Sequence, residues 1–160
     1  MRVLAIDPGN EQSAFCLLID GKPREWATVP NAELLSDIRK RRWHAYSPEL
    51  ACEMIASYGM PVGREVFETC VIIGRIIEAW GGPSRLIYRK DVKLHLCGVT
   101  AAKDANIRQA LIDIYGPGKD RAIGRKGSPG PLYGVHGDEW AALAVGVTAA
   151  GIRVRMEAAA

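Results

Sequence analysis

The chain has 160 residues, 48% of them hydrophobic and 24% charged, with a formal net charge of +3. That is enough for one packed core, too short for two large lobes, and too apolar for a disordered chain. No apolar run reaches the roughly 18 residues of a membrane span, and Met1-Arg2 lead straight into an apolar run without a signal-peptide pattern. A cytoplasmic protein with no membrane partner is expected.

Cys16, Cys52, Cys70 and Cys97 lie singly in apolar stretches with no CxxC pair, and read as buried reduced thiols rather than zinc ligands. Charge is unevenly placed: residues 1–80 hold 9 basic and 11 acidic side chains, residues 81–160 hold 12 and 7. An excess of cations in one half points toward a polyanionic partner.

In chain order, residues 3–7 and 14–19 are apolar runs that read as strands joined by a Pro-Gly-Asn turn, and Asp20-Gly21-Lys22 offers a tight hairpin into a third strand at 23–30. Residues 31–44 read as a short helix with Asn31 as N-cap. A strand follows at 50–55, interrupted by Glu53, then a long amphipathic helix at 61–80 stopped by Gly81-Gly82-Pro83. A short strand at 85–88 leads to a helical turn at 90–98 and an amphipathic helix at 102–116. Residues 116–131 contain five Gly and three Pro and read as a flexible basic loop. The Ala-rich stretch from Asp138 to Met156 reads as a final helix whose small residues allow close packing, with 151–160 as a frayed tail. The expectation is one α/β domain over 1–160. Its five-stranded mixed sheet, a three-strand antiparallel meander plus two parallel strands flanked by helices, has the element order of an RNase H-like fold.

Three acids stand at compatible places in that order. Asp7 ends the first strand, Glu53 lies near the end of the fourth, and Asp138 opens the last helix. A charge at the end of a core strand is costly to desolvate unless something offsets it. If the first and fourth strands are parallel neighbours, Asp7 and Glu53 share one end of the sheet and Asp138 comes in from the side. Hard carboxylate oxygens suit Mg²⁺, with Mn²⁺ able to substitute, and two such ions about 4 Å apart can activate a water and stabilise the leaving oxygen of a phosphodiester. On this reading Asp7 bridges both ions, Glu53 holds one and Asp138 the other. Glu139 is the alternative third ligand, because neighbouring helix residues point about 100° apart and only one can aim inward. His136 is a candidate proton shuttle or water-orienting group, or a plain loop histidine. Taken singly, Asp7 before Pro-Gly is also a turn residue, and Asp138 also an N-cap.

At these residues the chain resembles the RuvC-type Holliday junction resolvases, in the compact form found in bacteriophages and related mobile elements. "LAIDPG" resembles the opening strand with its first catalytic Asp at Asp7, "LACEMI" the strand bearing the catalytic Glu at Glu53, and "HGDEWAALAVG" the final acidic helix start. In the family an Asp or His precedes the last Asp by three residues. That spacing puts His136 with Glu139 and leaves Val135 before Asp138, so the third ligand stays open between Asp138 and Glu139. "DVKLHLCGVTAAKDANIRQAL" resembles the segment whose paired lysines contact DNA, which would be Lys93 and Lys103. The resemblance implies an Mg²⁺-dependent crossover junction endodeoxyribonuclease in a bacterial or phage-infected cell.

The charge pattern agrees with a DNA partner. Ten basic residues against four Asp lie between Arg85 and Lys126, among them Arg89, Lys90, Arg121, Arg125 and Lys126, which are candidates for phosphate contacts. "RKRRWH" at 39–44 is the densest positive run, and Trp43 within it, like Tyr58, either stacks on an unpaired base or packs beneath. A four-way junction is two-fold symmetric, so one site per chain implies a homodimer, for which the helix at 61–80 with Gly63 and Gly74 is the candidate interface. Two readings compete: a related nuclease for other branched DNA or structured RNA, and a catalytically silent junction-binding module.

Overall fold

The computed structural model describes residues 1–153, so most of the expected tail at 151–160 lies outside the described residues. Strands β1 (Arg2–Asp7), β2 (Gln12–Ile19) and β3 (Lys22–Pro30) form the antiparallel meander, while β4 (Glu49–Met54) and β5 (Ser84–Tyr88) add in parallel, in the order β3-β2-β1-β4-β5. The β2–β3 turn uses Asp20 and Gly21, both at positive φ (50° and 77°), the backbone that matches strand twist in a two-residue hairpin.

Helices cover both faces. Helices α1 (Asn31–Arg39) and α2 (Arg64–Trp80) pack on one, where Leu4, Ile6, Phe15, Leu50 and Cys52 meet Leu35, Ile38, Ile73 and Ile76. The other face carries α3 (Arg89–Cys97), α4 (Asp104–Tyr115) and α6 (Glu139–Ala149), where Val3, Ala5, Leu18 and Ala51 meet Leu111, Leu143 and Val147. The small residues of α6 let it approach the sheet closely. A Cβ added at Gly146 would lie 2.1 Å from Leu18 Cδ1 and 3.1 Å from Ala5 Cβ, an overpacking that costs about 1–3 kcal/mol.

Several expectations from the sequence are corrected. Asn31 is the first residue of α1, not its cap, and Pro30 precedes it without a side-chain cap. The helix ends at Arg39 rather than 44, because Arg41 turns left-handed (φ 59°) and carries Trp43 under the sheet. Trp43 is buried against Phe15, with its Nε1 donating to Glu25 Oε2 at 3.1 Å, so it does not face a ligand. Arg42 from the same basic run is paired with Asp37 and Glu25. Of the thiols, Cys16 and Cys52 are buried but Cys70 and Cys97 only partly. Residues 116–131 hold α5 (Lys119–Ala122) and a two-stranded hairpin of β6 (Gly124–Arg125) and β7 (Ser128–Pro129), and they bury Ala122 fully. Composition concealed this because glycines make the packing possible: a Cβ at Gly130 would sit 2.3 Å from the Arg121 carbonyl. The last helix stops at Ala149, where Gly151 (φ 68°) turns the chain and Ile152 folds back on the core.

Candidate active site

Strands β1 and β4 lie in parallel register with Ile6 beside Cys52, so the next residues, Asp7 and Glu53, leave the sheet side by side at its carboxyl edge. Val3, Ala5 and Ala51 face α6, and the two-residue alternation of a strand places Asp7 and Glu53 on that same face. The turn beyond Asp7 is tied to α1 by buried polar groups. Ser13 Oγ donates to Asn31 Oδ1 at 2.6 Å, Asn31 Nδ2 donates to the Gly9 carbonyl at 2.9 Å, and the Gly9 N–H donates to Ser13 Oγ at 3.3 Å.

The two carboxyl groups lie close enough for each to influence the other's ionisation. Burial, the Glu53 charge and bond, and the more distant Asp138 charge push Asp7 up to about 8, against a lowering by Arg89. Burial also raises Glu53, outweighing Asp7's hydrogen bond and the Arg89 charge. Beneath them Cys52 is pushed up to about 12 by burial and by both acids, which makes it an inert thiol. A cavity of about 280 Å³ opens over the pair, walled by Pro8, Met54, Tyr58 and Arg89.

Arg89 opens α3 immediately after β5, whose Ile87 and Tyr88 lie opposite Glu53 and Met54. Its Nη1 is 3.8 Å from Glu53 Oε1 and its Nη2 is 2.5 Å from Asp104 Oδ1. Asp138 sits exposed in the turn before α6, lining a smaller cavity of about 130 Å³ with Arg89, Asp104, Arg108 and Trp140. Among the described residues no group of three or more His, Cys, Asp or Glu side chains is close enough to hold a metal ion. The three-acid cluster expected from the sequence is thus a touching pair with a third acid standing off, as mutual repulsion of like charges favours.

The two side chains beside Asp138 face elsewhere. Glu139 is only 3% exposed; its Oε2 accepts the His136 backbone N–H at 3.0 Å and lies 3.1 Å from His136 Nδ1. His136 is exposed and lines none of the cavities around the acidic pair.

No protein-family model matches the chain, and no curated protein matches it. Solved structures do. A Thermus thermophilus RuvC structure superposes with a TM-score of 0.64 over 94% of both chains at 20% identity. T. thermophilus RuvC in complex with a Holliday junction substrate superposes with a TM-score of 0.64 at 18% identity, over 94% of this chain and 93% of that one. The chain has a RuvC-like fold. Its five-stranded mixed sheet and flanking helices are the RNase H-like architecture expected from the element order.

Within this RuvC-like frame the sequence-predicted cations fall into two groups. Arg89, Lys90 and Lys93 line a cavity of about 400 Å³ beside the acidic one, and Tyr58 borders both. Lys103 stands exposed just before α4, Arg121 on α5, and Arg125 and Lys126 on the β6–β7 hairpin, none of them lining these cavities. Sequence reasoning missed Asp104 and the Arg108–Trp140 contact, in which the guanidinium lies 4.5 Å from the indole centroid. Asp104 reads in sequence as an ordinary acid in a first helical turn. No helix among the described residues is long and apolar enough to cross a membrane.

Proposed function

We propose that this chain is a divalent-metal-dependent endonuclease that resolves Holliday junctions by paired phosphodiester hydrolysis, acting as a homodimer in the cytoplasm of a bacterial or phage-infected cell. The observation that carries the reading is the Asp7–Glu53 pair, two desolvated and interacting carboxyl groups at the carboxyl end of the parallel strands β1 and β4, opening beside Arg89, Lys90 and Lys93. The RuvC–Holliday junction complex with the same fold supports DNA as the partner.

The donor set fits Mg²⁺ or Mn²⁺: the oxygens are hard, and burial together with the neighbouring Glu53 charge disfavours ionised Asp7, a cost that a bound cation would offset. Asp7 and Glu53 would hold the metal, with Asp138 the third donor. Glu139 is already engaged by the His136 amide. When bound, the divalent ion lowers the pKa of a water and neutralises the leaving oxygen. The chain's own part is positioning. Lys90 and Lys93 hold the phosphates flanking the cut, with Arg89 at their margin. Lys103, Arg121, Arg125 and Lys126 hold a duplex arm by charge. Tyr58 is 63% exposed on a left-handed backbone (φ 49°), and presents its ring for stacking on a base where strands part. On α2, Phe67 and Val71 are 63% and 62% exposed one turn apart, and nothing lies within 4 Å of a Cβ built at Gly74. That face is the proposed dimer contact, which would set two sites on opposed strands.

A test compares four-way, three-way and linear DNA with the wild type and Asp7→Asn. Paired nicks in the four-way junction with Mg²⁺ or Mn²⁺, lost in the variant while binding persists, support the proposal. Cleavage that survives a chelator would sink it. Binding without nicks would instead favour a catalytically silent junction-binding module, the reading consistent with Asp138 standing apart.

A further inference from the structure

Arg89 borders the cavity over the acidic pair, the one lined by Lys90 and Lys93, and the one lined by Asp104 and Asp138. Its guanidinium bridges two carboxylates of opposite character: Glu53, 12% exposed, at 3.8 Å, and Asp104, 84% exposed, at 2.5 Å. Neither hold is dominant. The Glu53 contact is too long for a hydrogen bond but acts through a poorly screened medium. The Asp104 contact is short but sits in water, where an ion pair contributes little. A long cation balanced between two weak holds can shift by a rotamer change at small cost.

We propose that Arg89 is a displaceable counter-ion of the Asp7–Glu53 pair, competing with the incoming divalent cation for Glu53, and that Asp104 is the outer station that draws Arg89 away. This rests on the metal-dependent reading above. Both Arg89 and the metal neutralise the same carboxylate, and two cations within a few ångströms repel, so binding of one displaces the other. Asp104 lowers the cost of that displacement by offering Arg89 a partner outside the cavity. Arg89 withdrawn from Glu53 stays at the margin shared with Lys90 and Lys93, where it adds to the phosphate-binding charge.

The experiment is Mg²⁺ titration by calorimetry on the DNA-free protein, for the wild type, Arg89→Gln, Arg89→Lys, Asp104→Asn and the Arg89→Gln/Asp104→Asn double variant. Removing the competitor should tighten Mg²⁺ binding about tenfold, the effect of an opposite charge at this range. Arg89→Lys should stay near the wild type. Asp104→Asn should weaken binding several-fold, and that weakening should vanish in the double variant, because the two residues act as one unit. Unchanged or weaker Mg²⁺ binding in Arg89→Gln overturns the proposal. So does an Asp104→Asn effect of equal size in both backgrounds, which would be a through-space field. If Arg89→Gln does not fold, unchanged binding in Asp104→Asn, whose side chain is exposed, is enough to reject it. A wild type that binds no Mg²⁺ beside an Arg89→Gln protein that does would support the competition; no binding in any variant removes the metal reading itself.

Discussion

The β4–β5 ladder carries a Glu and an Arg at both of its ends, and the two pairs differ. At the amino end Arg85 Nε sits 2.6 Å from Glu49 Oε1, and its Nη2 donates to the Ala149 carbonyl at 2.6 Å. At the carboxyl end, four residues further along each segment, Arg89 stands 3.8 Å from Glu53, which is already pressed against Asp7. One cation faces one acid at the amino end; one cation, shared with Asp104, faces two acids at the other. The same residue types, on β4 and on β5 or the helix that continues from it, therefore make a closed structural ion pair at one end and an under-neutralised anionic site at the other. What separates them is the neighbour on β1: Asp7 lies beside Glu53, whereas Val3 lies beside Glu49.

The largest expected effect breaks that contrast directly. Asp7→Asn or Glu53→Gln should lower junction cleavage by about 10³-fold or more, as removal of a metal-holding carboxylate does. Glu49→Gln should leave cleavage within about twofold, since Coulomb effects on a site at the other end of the sheet are screened. Nicking rates on a labelled four-way junction measure both.

The next effect is on stability against pH, in chelator. Asp7 is raised from the ordinary 3.8 to about 8, so the folded state binds the pair's proton more tightly than the unfolded chain does. Stability from this source is fully present below about pH 4 and is lost as pH rises through 8. Relative to Asp7→Asn, the metal-free wild type should thus lose on the order of 4 kcal/mol between pH 5 and pH 9. Thermal melts at the two pH values read the difference, and parallel curves for the two proteins would contradict it.

The sheet and the acidic pair were legible for the same reason. The Asp20-Gly21 turn, an apolar run ending on Asp7 and another broken by Glu53 are local signals, and parallel placement of the two strands brings the two acids together. Less legible was anything decided by tertiary contact. Trp43 sits in a basic run that looks like a binding strip, yet Phe15 and Glu25 draw it inward. Arg85 counts toward the basic middle of the sequence but is spent on Glu49 and a helix-end carbonyl. Residues 116–131 look unstructured by composition because the glycines that permit tight backbone approach at Gly124 and Gly130 are the same residues that signal a loop.

That distinction between spent and available cations gives a third test. Among the described residues Arg121, Arg125 and Lys126 make no ion pair. Replacing all three with Gln should reduce the slope of log affinity for junction DNA against log salt by about 2–3, at roughly 0.9 per phosphate contact on duplex DNA. Arg85→Gln should leave the slope unchanged. Fluorescence anisotropy across a salt series separates the two, and an equal change in both would mean the basic middle acts as a diffuse field rather than through named contacts.

The smallest effect lies within the closed pair. Glu49 and Arg85 are partly exposed, at 29% and 42%, so water already solvates much of what their attraction gains. Glu49→Gln should cost about 0.2–1 kcal/mol, the range of exposed ion pairs. Arg85→Gln should cost more, about 1–2 kcal/mol, because it also strips a charged donor from the Ala149 carbonyl at the last turn of α6. Helix α6 begins beside Asp138, so the amino end of the sheet helps anchor the helix that brings the third acid toward the other. Denaturant melts at neutral pH should rank the two variants in that order. The reverse ranking would mean that Arg85 serves Glu49 alone and that α6 holds its place by core packing.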